Sequence, residues 1–175
     1  MIRSYSNFKL GWDIMIASFA CYDSFILPAV GCFEQLSHLF ENKTFKIALF
    51  VVDVIYICDI IRQFRTTYYS KTTGEEIFNQ RLIAKHYFRH GMLIDICASL
   101  PIFIHLLSGY ISEEAVQIIG LFSFLKMWRV LRIRVIIAQT NYTKDFKAFL
   151  KILFILLLLG LYMHVIACIL WKLFS

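Results

Sequence analysis

Proline occurs twice and glycine seven times in this 175-residue chain. Flexible linkers are built largely from such turn residues, so there is little room for a second soluble domain. Charge is also scarce, at 17% of residues where a soluble domain carries about 25%. The five cysteines (Cys21, Cys32, Cys58, Cys97 and Cys168) are scattered through apolar segments without C-x-x-C spacing. They read as small hydrophobes rather than a disulfide framework or a metal cluster. There is no internal repeat. The opening MIRSYSNFKL is basic and acid-free, and is expected to be neither a cleavable signal nor a transit peptide.

Apolar residues are abundant: 59% of the chain, with a mean hydropathy of +0.68. They gather in long runs, which indicates a multi-pass membrane protein. A spanning helix needs roughly 20 apolar residues. With about 17 residues as the lower limit, five segments qualify, some only by admitting charge: 11–33, 45–64, 91–107, 115–138 and 146–174. Barrel strands of about ten alternating residues do not fit this pattern. The expected fold is therefore an all-α membrane protein. A four-helix bundle occupies 1–138, a short linker 139–145, and a fifth transmembrane helix 146–175.

The net charge of +6 does not point to nucleic acid, because the basic residues sit beside the spans. Between the second and third spans lie Arg62, Arg65, Lys71, Arg81, Lys85 and Arg89 against Glu75 and Glu76. Lys144, Lys147 and Lys151 follow the fourth span against Asp145, whereas the other two loops carry Glu34, Glu41 and Lys43, and Glu113 and Glu114. The positive-inside rule then puts the N-terminus on the cytoplasmic (or matrix) side and the C-terminus on the opposite side.

The fourth span places Lys126, Arg129 and Arg132 at every third position. A cation at the centre of a membrane helix costs about 2.5 to 3.5 kcal/mol on insertion scales. The array therefore needs acidic partners or a water-filled crevice. In an α-helix it would trace a shallow spiral, each step turning by about 300°. Arg132 and Arg134 have an alternative role as interface anchors that snorkel to water, whereas Lys126 and Arg129 lie too deep for it.

The other spans carry acids. Asp53 and Asp59 lie in the second span, Asp95 in the third, and Asp13 and Asp23 in the first. Tyr56 precedes Asp59 by three residues and shares nearly the same face. With Asp95 from the next helix, Tyr56 and Asp59 could form a centre that replaces a cation's hydration and seals out water. Each acid could equally serve only to neutralise a cation and fix helix packing, above all Asp53 and Asp23. The five histidines (His38, His86, His90, His105 and His164) are scattered and read as packing or interface residues.

At this point the chain resembles the voltage-sensor region, with the first pore-domain helix, of the ether-à-go-go and cyclic-nucleotide-gated cation channels. The resemblance rests on FKLGWDIMIASFACYDSFILPAV, VVDVIYICDIIRQFRTTYYSKTTGE, RLIAKHYFRHGMLIDICASLP, LFSFLKMWRVLRIRVI and LYMHVIACILW, in that order. It implies that Lys126, Arg129 and Arg132 are gating charges and that Tyr56, Asp59 and Asp95 form the charge-transfer centre. Asp53 becomes an additional acidic site toward the outer half of the second span. It also implies a plasma membrane, with an organellar inner membrane left open by the charge rule.

Two departures qualify this. The array breaks register at Val135 and Arg134, and no selectivity filter or second pore helix follows the fifth span within the 175 residues. The leading expectation is therefore a pore-less, non-conducting subunit of a larger membrane complex, meeting other subunits through the 146–174 helix. The alternatives are a voltage-sensing part of a potassium or cation channel, and a proton-permeable bundle in which Asp23 faces the cationic helix. No enzymatic activity, no metal and no cofactor beyond bound lipid are expected.

Overall fold

The computed structural model describes residues 1–4, 6–33, 42–70, 74–101, 122–140 and 142–174. Local capping chemistry sets the starts of the first helices. Ser6 accepts the Lys9 backbone N–H and opens α1 (Asn7–Cys32). Asn42 does the same for the Thr44 N–H at the head of α2 (Lys43–Gln63). Pro28 sits inside α1 and removes the donor that the Ser24 carbonyl would otherwise receive. The α1 ladder is therefore interrupted near its far end, where His164 Nε2 hydrogen-bonds the adjacent Phe25 carbonyl at 2.8 Å.

After α2 the chain forms a small antiparallel hairpin, β1 (Tyr68–Tyr69) and β2 (Glu76–Ile77), with Tyr68 opposite Ile77. Gly74, at φ +69°, supplies the left-handed backbone that brings the chain back. The N-terminus adds to this hairpin through a parallel bridge between Ile2 and Thr66. The strictly all-α expectation is thus corrected by two very short strands, too small to change the helical class.

Asn79 then caps α3 (Gln80–His90), a helix within what the sequence suggested was only a basic loop. Gly91 separates it from α4 (Met92–Ser99), which reaches Pro101 after one further turn. The next described element is a 3-10 helix, Phe122–Leu131, which continues as α5 (Arg132–Gln139). The last is α6 (Lys144–Phe174), 31 residues long.

Asn7–Val30 and Lys144–Phe174 are long and apolar enough to cross a membrane. α2 has 21 residues but carries Asp53, Asp59 and Arg62 in its interior. Residues 102–107 of the expected third span and 115–121 of the fourth lie outside the described residues. So do Glu34, Glu41, Glu113 and Glu114, and with them His38, His105 and Lys71.

α1 packs against the 3-10 helix, α5 and α6; α4 packs against the 3-10 helix and α2. Ala20, Val130, Ile137, Phe154 and Leu161 form the apolar core among them. α6 buries Phe154, Leu161 and Cys168, one residue per heptad, and exposes Phe149, Ile152, Leu156, Leu159 and Met163. A seven-residue spacing keeps one narrow seam on α1 and α5 and leaves the rest of the helix apolar and outward. Polar groups occupy the interior instead: Asp23, Asp53, Asp59, Lys126 and Arg129 are all at most 3% exposed. Apolar outside with charge inside is the arrangement a bilayer rewards and water does not.

Candidate functional site

The buried charges form a ladder along the 3-10 helix. In a 3-10 helix the side chains at i and i+3 eclipse one another, with a rise of about 6 Å per turn. Lys126 and Arg129 therefore point the same way, and Arg132, the first residue of α5, continues the line. The expected spiral is corrected here to a stripe. The other two faces follow the same period: Leu125 and Trp128 are exposed outward, while Met127 and Val130 pack on the core.

We use "inner" for the end of the bundle that holds Met1. At the outer level Lys126 Nζ lies 2.6 Å from Asp53 Oδ1 and 3.9 Å from Asp23 Oδ2. The Tyr56 hydroxyl donates to the same Asp23 carboxylate at 3.1 Å. At the middle level the Arg129 guanidinium lies over the Tyr56 ring, 4.0 Å from its centroid. Arg129 also donates through Nε to Asp95 Oδ1 (3.3 Å), and through Nη2 to the Asp95 carbonyl (3.1 Å) and Ser99 Oγ (3.0 Å). Its Nη1 has no hydrogen-bond partner among the described residues.

At the inner level Arg132 bridges two acids, donating through Nη1 to Asp59 and through Nη2 to Asp95 Oδ2 at 3.1 Å. Its role as a free interface anchor is thereby corrected, because both ends of the guanidinium are paired. Arg134 is exposed, in keeping with such an anchor.

The expected trio of Tyr56, Asp59 and Asp95 is only partly assembled. Asp59 and Asp95 meet through Arg132, but the Tyr56 hydroxyl turns outward to Asp23 on α1. Tyr56 thus divides an outer pair, Asp23 and Asp53, from an inner pair, Asp59 and Asp95. Asp13 lies further inward, held by Lys9 Nζ at 3.2 Å and by Arg62 Nη2 at 2.6 Å.

Five participants were not singled out in the sequence: Lys9, which pairs with Asp13; Ser99, which accepts from Arg129; and Arg62, Trp12 and Tyr87. Arg62 spans Asp13 and Asp59, reaching Asp59 Oδ1 at 3.0 Å. Its position three residues after Asp59 was the available signal. Trp12 Nε1 donates to Asp59 Oδ1 at 3.0 Å. Tyr87, from α3, donates to Asp95 Oδ2 at 2.8 Å. Burial raises the Tyr87 phenol above its ordinary pKa and the Asp95 charge adds to the shift, so it remains a donor. Trp12 and Tyr87 carried no such signal, since their partners are distant in sequence or lie across Gly91.

Among the described residues, five carboxylates (Asp13, Asp23, Asp53, Asp59, Asp95) face five cations (Lys9, Arg62, Lys126, Arg129, Arg132). The interior is close to neutral, as a low-dielectric interior requires. A cavity of about 530 Å³ opens at the inner end, lined among others by Lys9, Thr66, His86, Tyr87, Asp95 and Arg132. Its lining mixes these polar groups with apolar ones such as Ile83, Leu131 and Val135, and it is large enough for water, so Arg132 borders a wettable space while Arg129, 1% exposed, does not.

Residues 9–175 match the family model described as ion transport protein. Similarity to individual proteins runs in the same direction. The chain is 33% identical over 178 residues to the mouse (Mus musculus) voltage-gated inwardly rectifying potassium channel KCNH7, covering 96% of this chain and 14% of that protein. It is 36% identical over 101 residues to the mouse voltage-gated delayed rectifier potassium channel KCNH8, covering 58% of this chain and 9% of the relative. With the Caenorhabditis elegans potassium voltage-gated channel unc-103 it shares 31% identity over 140 residues, 75% of this chain and 17% of the relative. The chain thus spans less than a fifth of the length of each of these three. The match is to a membrane-embedded channel domain and not to an enzyme. By the extent of the family match, the chain belongs to the ion transport protein family.

Proposed function

We propose that this chain is the voltage-sensing part of a potassium-type cation channel, with Lys126, Arg129 and Arg132 as gating charges. The observation that carries this reading is the single stripe those cations form along the 3-10 helix and the first residue of α5, facing acids on both sides of Tyr56. Tyr56, Asp59 and Asp95 act as the inner charge-transfer centre, and Asp23 and Asp53 as the outer acids. Displacing the helix along its axis by one 3-10 turn, about 6 Å, moves each cation to its neighbour's site without unpairing it for long. The similarity to stretches of complete voltage-gated channels favours this reading over that of a non-conducting accessory subunit.

The proposed orientation has the N-terminus and α3 on the cytoplasmic face of the plasma membrane. In the proposed division, 1–138 is the sensor and 139–145 the link. Residues 146–175 form a helix that passes the motion on. The exposed apolar side of α6 is where other pore or membrane subunits would pack. One elementary charge moved through the whole field is worth about 2.3 kcal/mol per 100 mV, so three supply about 7 kcal/mol. That is enough to bias a two-state helix.

Charge movement in voltage-clamped membranes bearing the full chain tests the reading. A saturating transient is expected that shrinks by roughly one charge equivalent in Arg129→Gln, at matched surface abundance. Chain present at the surface with no voltage-dependent charge movement would refute it.

A further inference from the structure

α3 belongs to no span and joins the charge ladder through Tyr87. Its sequence, QRLIAKHYFRH, holds Arg81, Lys85 and Arg89 and no carboxylate. Steps of four residues set these three cations along one side of the helix, and all are exposed. None of the three side chains has a hydrogen bond or ion pair among the described residues. The stripe is flanked on one edge by Phe88 and on the other by Leu82, which are 60% and 46% exposed. The opposite side holds Ile83, 2% exposed, and Tyr87 against the bundle.

Orienting the chain in a membrane requires only a number of positive charges, in no particular arrangement. Three unpaired cations in line, with apolar side chains on both flanks, complement a surface that is anionic at one depth and apolar just beneath.

We propose that the outward face of α3 is a docking surface for anionic lipid headgroups of the membrane that the bundle occupies. Arg81, Lys85 and Arg89 bind the headgroup phosphates and carboxylates, and Phe88 and Leu82 enter the acyl boundary. The docked helix is tied to the ladder: the Tyr87 hydroxyl holds Asp95, and the Tyr87 ring meets Phe64 edge-on at 5.1 Å. Lipid bound at α3 therefore fixes the position of the acid that pairs with Arg132. The docking rests on the membrane location of the domain and not on any motion of the 3-10 helix.

The test is lipid selectivity of the full chain reconstituted in phosphatidylcholine bilayers, read as the association of spin-labelled phosphatidylserine relative to spin-labelled phosphatidylcholine. The chain should prefer phosphatidylserine, and high salt should weaken the preference. Most of it should be lost in R81Q/K85Q/R89Q and retained in K144Q/K147Q/K151Q. The single replacements, each at an exposed site, should give graded losses even if the triple variant folds poorly. Equal association of the two lipids would overturn the proposal, as would a preference unchanged in the α3 variants. So would its complete displacement by inorganic phosphate at matched ionic strength, which would make the surface a free-anion site.

Discussion

The Arg129 guanidinium lies 4.0 Å above the centroid of the Tyr56 ring, at the boundary between the outer and the inner acids. A desolvated cation–π contact of this kind contributes about 2 kcal/mol. The same tyrosine donates its hydroxyl to Asp23, so one side chain serves a cation with its face and an anion with its edge.

Tyr56→Phe and Tyr56→Leu separate those two roles. The phenylalanine keeps the face and loses the hydroxyl, leaving Asp23 without its phenol donor, at about 1 to 3 kcal/mol. The leucine loses both and should be the less stable by a further 1 to 2 kcal/mol or about that. Thermal unfolding in detergent checks the order. Equal melting temperatures for the two variants would show that the ring face contributes nothing.

Asp59 receives Arg62, Arg132 and Trp12 at once. Asp59→Asn takes one carboxylate from the buried Arg62 and the partly buried Arg132, which keep Asp13 and Asp95 respectively, so the loss should lie at the lower end of about 3 to 5 kcal/mol. In Asp59→Asn/Arg62→Gln the second change removes one of the stranded cations, so the double variant should be less damaged than the sum of the singles. Strict additivity in the melting temperatures would count against a shared network.

Much of this site was legible because charge in an apolar run is so expensive that it has to be answered. Lys126, Arg129 and Arg132 announced themselves by cost, and Asp53, Asp59 and Asp95 as their necessary partners. What sequence periodicity could not supply was the helix type. A three-residue spacing reads as a spiral on the α-helical template, and the stripe appears only when i and i+3 eclipse. Nor could it assign partners. Tyr56 lies on nearly the same face as Asp59, yet its hydroxyl reaches across to Asp23 because the rise of α1 brings that carboxylate level with the ring. Arg62 was counted as a loop charge because it stands at the end of the apolar run, one residue before α2 ends. The hidden helix α3 reads in sequence as charge, because its 11 residues are too few and too polar to stand out beside the apolar spans.

The helix type is itself measurable. Over the six positions from Leu125 to Leu131 a 3-10 rise gives about 12 Å between backbones, against about 9 Å for an α-helix. Spin labels at L125C and L131C, in a background with the five native cysteines replaced, should show the weaker dipolar broadening of the longer distance. Broadening that fits the shorter value would return the cations to a spiral and remove the stripe.

The N-terminal latch predicts a response to acid. The Ile2 N–H donates to the Arg65 carbonyl at 2.9 Å and the Thr67 N–H to the Ile2 carbonyl at 3.0 Å. The Ser4 N–H reaches Thr67 Oγ1 at 2.9 Å and Glu76 Oε1 at 3.2 Å. The Thr67 hydroxyl donating to Glu76 holds its carboxyl below the ordinary value, helped by the Ser4 N–H and by the Arg3 charge. The folded state therefore binds fewer protons than the unfolded one at this site. Its contribution is complete above the unfolded pKa, about 4.3, and is lost as pH falls through the lower folded value. Amide protection at Ile2, Ser4 and Thr67 should hold steady between about pH 8 and pH 5 and decline only in stronger acid. Glu76→Gln should weaken protection at neutral pH and flatten the acid step. An acid step that survives in that variant would assign the titration to another group.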